Sequence, residues 1–292
     1  MIAGLRAALG KVGLPAWFVV IDVLWIAKPD VLGIDARHYQ RAAEAWLQGG
    51  NPWAVTEAGI PFAAGPHTLL FYAPTTLLPL VVSTWVWVAA GVVASVWLVR
   101  RLELAPWWLL FPPLLHAMWN GNPQTIALAL LVAGGPAAAS LAVLIKLYAA
   151  IPLIGRWRDA VAAALVLAVA LLVLPWQLYL DQGLGVGTHL QTAWNGSAWR
   201  VPVLIPIVAV ALWILRRDGA AWWAVPALFP ATQFYYVAMA LPAIRRRPLV
   251  AAALALPAVL MAPLVVIALA VAASGVLPPS ISRRVRVPQP PP

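Results

Sequence analysis

Gly33-Ile34-Asp35-Ala36-Arg37-His38-Tyr39-Gln40-Arg41 interrupts a chain that is apolar on both sides of it. One acid, two arginines, a histidine and a tyrosine fall within this stretch, and Glu44 follows, although charged residues make up only 10% of the protein. Its reading decides the fold. If the flanking runs are membrane helices, the stretch is a polar loop at a membrane surface. Ala36, Tyr39, Ala43 and Trp46-Leu47 recur near helical spacing, and Gly49-Gly50 ends the pattern. The loop is therefore expected to carry a surface helix from Asp35 to Leu47. Ionisable groups gathered at the mouth of a first membrane helix mark a candidate site.

Composition supports the membrane reading. The chain has 292 residues, 63% of them hydrophobic, and a mean hydropathy of +0.88. A soluble domain of that composition would expose a large sticky surface, so an integral membrane protein is expected. There is no cysteine, which excludes disulfide and thiolate chemistry. The formal net charge is +10. Its arginines come as Arg100-Arg101, Arg156-Trp157-Arg158, Arg216-Arg217, Arg245-Arg246-Arg247 and Arg283-Arg284, between apolar runs. That is the pattern of cytoplasmic loops and needs no nucleic acid to explain it. The run after Arg6 and Lys11 contains Asp22 and lacks a small-residue cleavage site, so it reads as a retained first helix. Most of the 17 tryptophans, among them Trp85, Trp108, Trp157 and Trp223, fall near segment ends as an interfacial belt. Trp46, Trp53 and Trp194 lie in loops, where they could stack on a sugar.

Apolar segments fall at roughly 12–28, 68–82, 83–99, 105–119, 122–135, 136–155, 160–180, 201–215, 220–244 and 248–274. A crossing takes about 20 helical residues. Several segments are shorter or hold proline, as at Pro112-Pro113, Pro123, Pro152, Pro226, Pro230 and Pro242, and broken helices at membrane depth suggest a cavity. The arginine clusters place the N-terminus inside and Asp35 outside. They make 68–82 a short outer helix leading into the crossing at 83–99. Segments 136–155 and 220–244 have inside-type sequence at both ends. About 20 to 25 residues cannot cross twice at 1.5 Å per residue, so the favoured reading is two re-entrant segments with their polar tips at the outer face. The expected fold is all-α, polytopic, with about eight to ten membrane segments in one domain over 1–275. Polar loops 29–66 and 181–200 lie outside, and the proline-rich tail 276–292 forms no regular element.

Two residues stand out on physical grounds alone. Asp35 precedes an amphipathic helix, so it is either a helix N-cap or a partly desolvated reactive acid. Lys146 lies inside an apolar run, where a lysine either snorkels to an interface or serves a site. Asp22, within the first helix, either pairs with a neighbouring helix or lines a cavity. Glu44 is taken as solvated. His116 reads as a hydrogen-bonded helix residue and His189 as a loop residue. Asn195-Gly196-Ser197 matches a glycosylation sequon, a weak signal. No His/Asp/Glu cluster has metal-ligand spacing, and no cofactor is implied.

An ordered series of motifs runs over residues 15–245. Asp35, Tyr39 and Ala42-Ala43 lead to Gly49-Gly50-Asn51-Pro52-Trp53, then Phe62-Ala63-Ala64-Gly65-Pro66, Ala73-Pro74 and Leu77-Leu78-Pro79. Gly121-Asn122-Pro123-Gln124, Lys146-Leu147-Tyr148 and Thr232-Gln233-Phe234-Tyr235-Tyr236 with Leu241-Pro242 follow. In this series the chain resembles the polyprenol-phosphate-sugar-dependent glycosyltransferases of the GT-C fold, in particular glycosyltransferase family 87, which includes mannosyl- and arabinofuranosyltransferases. Against the family pattern, Ala64-Gly65 stands where a tyrosine and a proline are usual. The amides of Asn122 and Gln124 are exchanged, and a late histidine is absent near Tyr235.

The resemblance implies transfer of a sugar from a polyprenyl-phosphate donor to a lipid or glycan hydroxyl, at the outer face of a plasma membrane. It makes Asp35 the general base. Donor phosphate and sugar contacts would come from Arg37, His38, Lys146, Tyr148, Asn122, Gln124, Tyr235, Arg200 and His67. Two other functions fit parts of the same sequence: a transporter or flippase for a polyprenyl-linked sugar, and a catalytically inert relative that binds lipid or a partner subunit.

Overall fold

The computed structural model describes residues 13–186 and 195–274. Arg6, Lys11, His189, Trp194, Arg283-Arg284 and the tail 276–292 lie outside the described residues. The described chain is mostly helical, in keeping with the all-α expectation. Helix α1 (Leu14–Ile26) widens into a π-turn from Asp22. Helix α2 (Ile34–Leu47) starts one residue before the expected Asp35 and stops where expected; Gly49, at φ 74, turns the chain away from it. A small antiparallel hairpin follows, β1 (Thr56–Glu57) with β2 (Ile60–Pro61). Short helical turns over 66–77 then lead into α3 (Leu80–Arg101).

The rest alternates helices with breaks: α4 (Pro112–Trp119), α5 (Gln124–Ala133), α6 (Pro136–Ile145), α7 (Trp157–Val173), α8 (Trp176–Val186), α9 (Leu204–Ile214), α10 (Ala220–Leu228), α11 (Phe234–Ile244), α12 (Pro248–Leu254) and α13 (Met261–Ala273). Among the described residues only α3 is, by length and composition, a helix able to cross a membrane alone. Helices α7 and α8 pass together but are bent by 86°. The other expected segments are interrupted where residue chemistry interrupts a helix. Phe111 is extended (φ −61°, ψ 113°) before Pro112-Pro113, because a proline disfavours helical backbone at the residue before it. Segment 248–274, expected as one run, breaks after α12 around Pro257, with Leu260 left-handed at φ 66.

Segments 136–155 and 220–244 each fold back on themselves. Gly134 and Gly135, at φ 78 and 89, turn the chain into α6. Lys146 is extended (φ −144°, ψ 112°) and breaks the helix, and a 3-10 passage, Leu147–Leu153, returns. Arg156 then donates to the Leu131 carbonyl at 3.1 Å, so the segment ends beside its start. In the second segment α10 stops at Leu228 and α11 starts at Phe234. A Cβ on Gly219 would sit 3.6 Å from that of Ala243, so these two ends also meet. Both segments therefore have the hairpin shape a re-entrant element needs, with Lys146 and Thr232-Gln233 at or beside the breaks.

Two cores hold this together. The larger joins α1, the end of α3, α4 through α7 and α9 through α13 around Phe18, Phe111, Leu128 and Trp223, while Leu178 and Tyr179 of α8 pack against the smaller. Trp223 and Trp108 are thus core residues, not part of an interfacial belt. The smaller core places α2 on the 66–77 turns and α3 through Tyr39, Phe62, Tyr72 and Trp87. Tyr72 stacks between Tyr39 at 4.7 Å and Trp87 at 4.2 Å, which fixes the Tyr39 ring.

Candidate functional site

The turn 119–124 is the joint on which the site is built. Gly33, at φ 66, is the residue before α2, so Asp35 lies inside the first turn and makes no side-chain cap. This corrects the capping alternative. Backbone carbonyls cap the helix instead: the Gly33 amide donates to Trp119 at 2.8 Å and the Asp35 amide to Asn120 at 2.9 Å. Gly121 permits the approach, since a Cβ there would meet Ala36 Cβ at 2.8 Å, and its φ is +66. The carboxylate of Asp35 is thereby freed to point into the site at a helix N-terminus, where the dipole favours negative charge.

Asn122 and Gln124 extend this joint to both folded-back segments. The Asn122 amide donates to Asp35 Oδ2 at 2.8 Å, and its Oδ1 accepts from the Gln124 backbone amide at 3.0 Å. The Gln124 side chain donates to the Tyr235 carbonyl and accepts from the Tyr148 hydroxyl. Neither amide borders the cavity that holds Lys146. The expected donor contacts at Asn122 and Gln124 are therefore corrected: both orient residues that border it. Replacing Gln124 by leucine leaves the Tyr148 hydroxyl and Tyr235 carbonyl without this partner inside the core. We expect a loss of about 2–3 kcal/mol, read as a lower thermal midpoint in detergent.

Asp35, His38, Tyr39, His67, Lys146, Tyr148, Tyr235 and Tyr236 converge on one cavity of about 280 Å³. Buried Lys146 does not snorkel: its ammonium donates to the Tyr39 hydroxyl and lies 4.9 Å from the Tyr39 ring centroid. Burial pushes the Asp35 carboxyl above its usual range, while the Asn122 hydrogen bond and the charge of Lys146 pull it back. His38 Nε2 lies 3.2 Å from the Val55 carbonyl, and burial lowers its imidazole despite that contact. A ring so lowered is neutral near pH 7, which leaves Lys146 as the cation that steadies Asp35. Burial also pushes His67 down to about 3. His67 stacks on Trp176 at 6.0 Å and brings no charge to an anion.

The remaining expectations divide. Arg37 is occupied, donating to Glu57 Oε1 at 2.9 Å and to the Leu32 carbonyl at 2.6 Å, and Arg41 also pairs with Glu57. This cluster ties the β-hairpin to α2 and keeps Arg37 off the cavity, which corrects its phosphate role. Arg200 borders a second, larger cavity of about 620 Å³ and not the first. Trp53 is buried, donates to the Ala64 carbonyl and packs on Tyr179, so it presents no face to a sugar. Trp46 packs against the smaller core. Asn195 is buried and holds the Pro230 carbonyl, Ser197 and Thr232, which leaves no accessible sequon amide. Glu44 is half-buried and accepts from Gln40 at 3.0 Å. Asp22 is buried, and among the described residues neither carboxylate oxygen has a hydrogen-bond partner.

Sequence reasoning gave Tyr236 no role of its own and did not place the second cavity. Tyr236 borders the smaller cavity with its ring 4.5 Å from that of Tyr148; its place beside Tyr235 was the available signal. The larger cavity was not foreseen. It runs between α1, α4, α11 and the chain around Pro257, and Asp35 and Thr232-Gln233 border both cavities. Comparison of the chain with family models, curated proteins and solved structures gave no match.

Proposed function

We propose that this protein is a polytopic membrane glycosyltransferase of the GT-C type. It moves a sugar from a polyprenyl phosphate to an acceptor hydroxyl at the outer membrane face. The observation that carries this reading is the position of Asp35. One carboxylate, oriented by Asn122, opens onto two cavities, with the buried cation Lys146 in the smaller one. A two-substrate transfer needs a base between its substrates and a cation at the leaving group. The bilayer setting is supported by exposed apolar side chains such as Leu172, Leu249, Val23 and Trp213, and by arginine clusters between the apolar segments.

In the reaction, Asp35 takes the proton of the acceptor hydroxyl as its oxygen attacks the anomeric carbon. The bond from that carbon to the phosphate oxygen breaks, and polyprenyl phosphate leaves with both electrons. Lys146, held by Tyr39, balances the charge that grows on the leaving phosphate. Tyr148, Tyr235 and Tyr236 offer rings and hydroxyls to the sugar. A single displacement inverts the anomeric configuration.

The test is transfer from radiolabelled polyprenyl-phosphate mannose and arabinofuranose in membranes holding the protein. Time-dependent incorporation from either donor is expected. Failure with both donors, in membranes where the protein is folded and abundant, would overturn the reading. A second expectation concerns pH. Asp35 works only when ionised, so activity falls as pH drops through its raised pKa. Asn122→Leu removes a hydrogen bond that favours the carboxylate, so the acid limb of the kcat/KM profile moves to higher pH. An unmoved limb would mean that another group limits the rate.

A further inference from the structure

We infer that Ile60, at the tip of the β-hairpin, keeps water away from Asp35 and so decides that the donor's sugar goes to the acceptor and not to water. The reaction named here rests on the transferase reading; the shielding rests on geometry alone. Four residues border both cavities: Asp35, Ile60, Thr232 and Gln233. Three of them are polar side chains that attract water. Ile60 is the one apolar side chain of the four.

The fold aims this side chain. Ala58 and Gly59 have φ 49 and 77, the left-handed pair that a two-residue hairpin turn takes. Glu57 therefore lies directly across the hairpin from Ile60, and directly opposed side chains share a face. Glu57 is held on α2 by Arg37 and Arg41, one helical turn apart. Ile60 is thereby turned towards the start of the same helix, where Asp35 stands two residues before Arg37. Phe62 fixes the second strand: its amide donates to the Val55 carbonyl at 3.0 Å, and its ring packs edge-on against His38 and Tyr39. Ile60 itself belongs to neither core and is 40% exposed, so core packing does not account for an isoleucine there.

The chemistry gives it a task. A base that takes a proton from an alcohol can also take one from water. The water oxygen would attack the anomeric carbon, its proton would pass to Asp35, and polyprenyl phosphate would leave with both electrons, releasing free sugar. Water is in great excess at an outer membrane face, so a transferase has to exclude it from the base. An alkyl side chain at the border of the two cavities offers water no hydrogen bond from which to attack.

The experiment has two arms. In the first, membranes holding the full chain receive radiolabelled polyprenyl-phosphate mannose or arabinofuranose, and free and incorporated sugar are measured in one reaction. Ile60→Ala is expected to raise the ratio of free to incorporated sugar about tenfold, and Ile60→Leu to keep it near the parent value. A structural role would lower both products together, so an unmoved ratio overturns the inference. The second arm needs no turnover. The protein has no cysteine, so Asp35→Cys carries its only thiol. Labelling of that thiol by a charged, water-soluble methanethiosulfonate is expected to quicken several-fold when Ile60→Ala is added. Unchanged labelling overturns the inference whatever the products show. Faster labelling, with no product from either donor in the parent protein, overturns the transferase reading and leaves the shield standing.

Discussion

Asp35→Asn is expected to lower the transfer rate by roughly 10²–10⁴-fold, the range general-base catalysis supplies, while the protein stays folded. The substitution keeps shape and size, and an asparagine there still offers an oxygen to Asn122, 2.8 Å away in the parent protein. The α2 N-terminus is held by the Trp119 and Asn120 carbonyls and not by the Asp35 side chain, so no cap is lost. Removing a buried carboxyl whose ionised form is disfavoured by burial should leave the thermal midpoint equal or slightly raised. The measurement pairs initial rates with a melting curve for the same preparation. Full activity in the variant would remove Asp35 from the chemistry. Lost activity with a collapsed midpoint would show a structural role only. His38→Ala separates the neighbours: a neutral ring on the Val55 carbonyl is expected to matter far less than the acid.

What was legible in the sequence was local. The α2 helix from its apolar spacing, the Gly49-Gly50 stop and the breaks in segments 136–155 and 220–244 all follow from residues near one another in the chain. That these two segments fold back was also expected, because arginines at both ends leave too few residues for two crossings. What was not legible is who meets Asp35. Asn122 is 87 positions away in the chain, and nothing in its own neighbourhood says that its amide faces an acid. Arg37 looked like an anion ligand because an arginine near an acid cluster resembles one; Glu57, brought back by the β-hairpin, takes it instead. The larger cavity was invisible for a related reason. Its wall near Pro257 is read as part of an ordinary apolar segment until α12 and α13 are seen to part there, and a gap between helices has no sequence pattern of its own.

The second large effect is expected at Lys146. Lys146→Met keeps the length and apolar stem of the side chain and deletes the charge. Loss of one preorganised cation at a leaving group costs on the order of 10²–10³-fold in kcat. A structural lysine and a leaving-group lysine predict different patterns. The charge of Lys146 also pulls the Asp35 carboxyl down, so its removal raises Asp35 further and moves the acid limb of the rate profile to higher pH. Rate loss must therefore persist on the alkaline plateau, where Asp35 is ionised in both proteins, if Lys146 acts on the phosphate. If raising the pH restores the full rate, Lys146 acts only through Asp35. Tyr39→Phe provides the control, since it removes the hydroxyl that accepts from Lys146 while keeping the ring stacked on Tyr72. Its expected loss is smaller than that of Lys146→Met, because the charge remains in the cavity and only its aim is loosened. A donor analogue with an uncharged ester in place of the phosphate diester completes the comparison. Lys146→Met should weaken binding of the charged donor and leave the uncharged analogue bound as before; equal weakening of both would place the lysine in packing rather than in recognition.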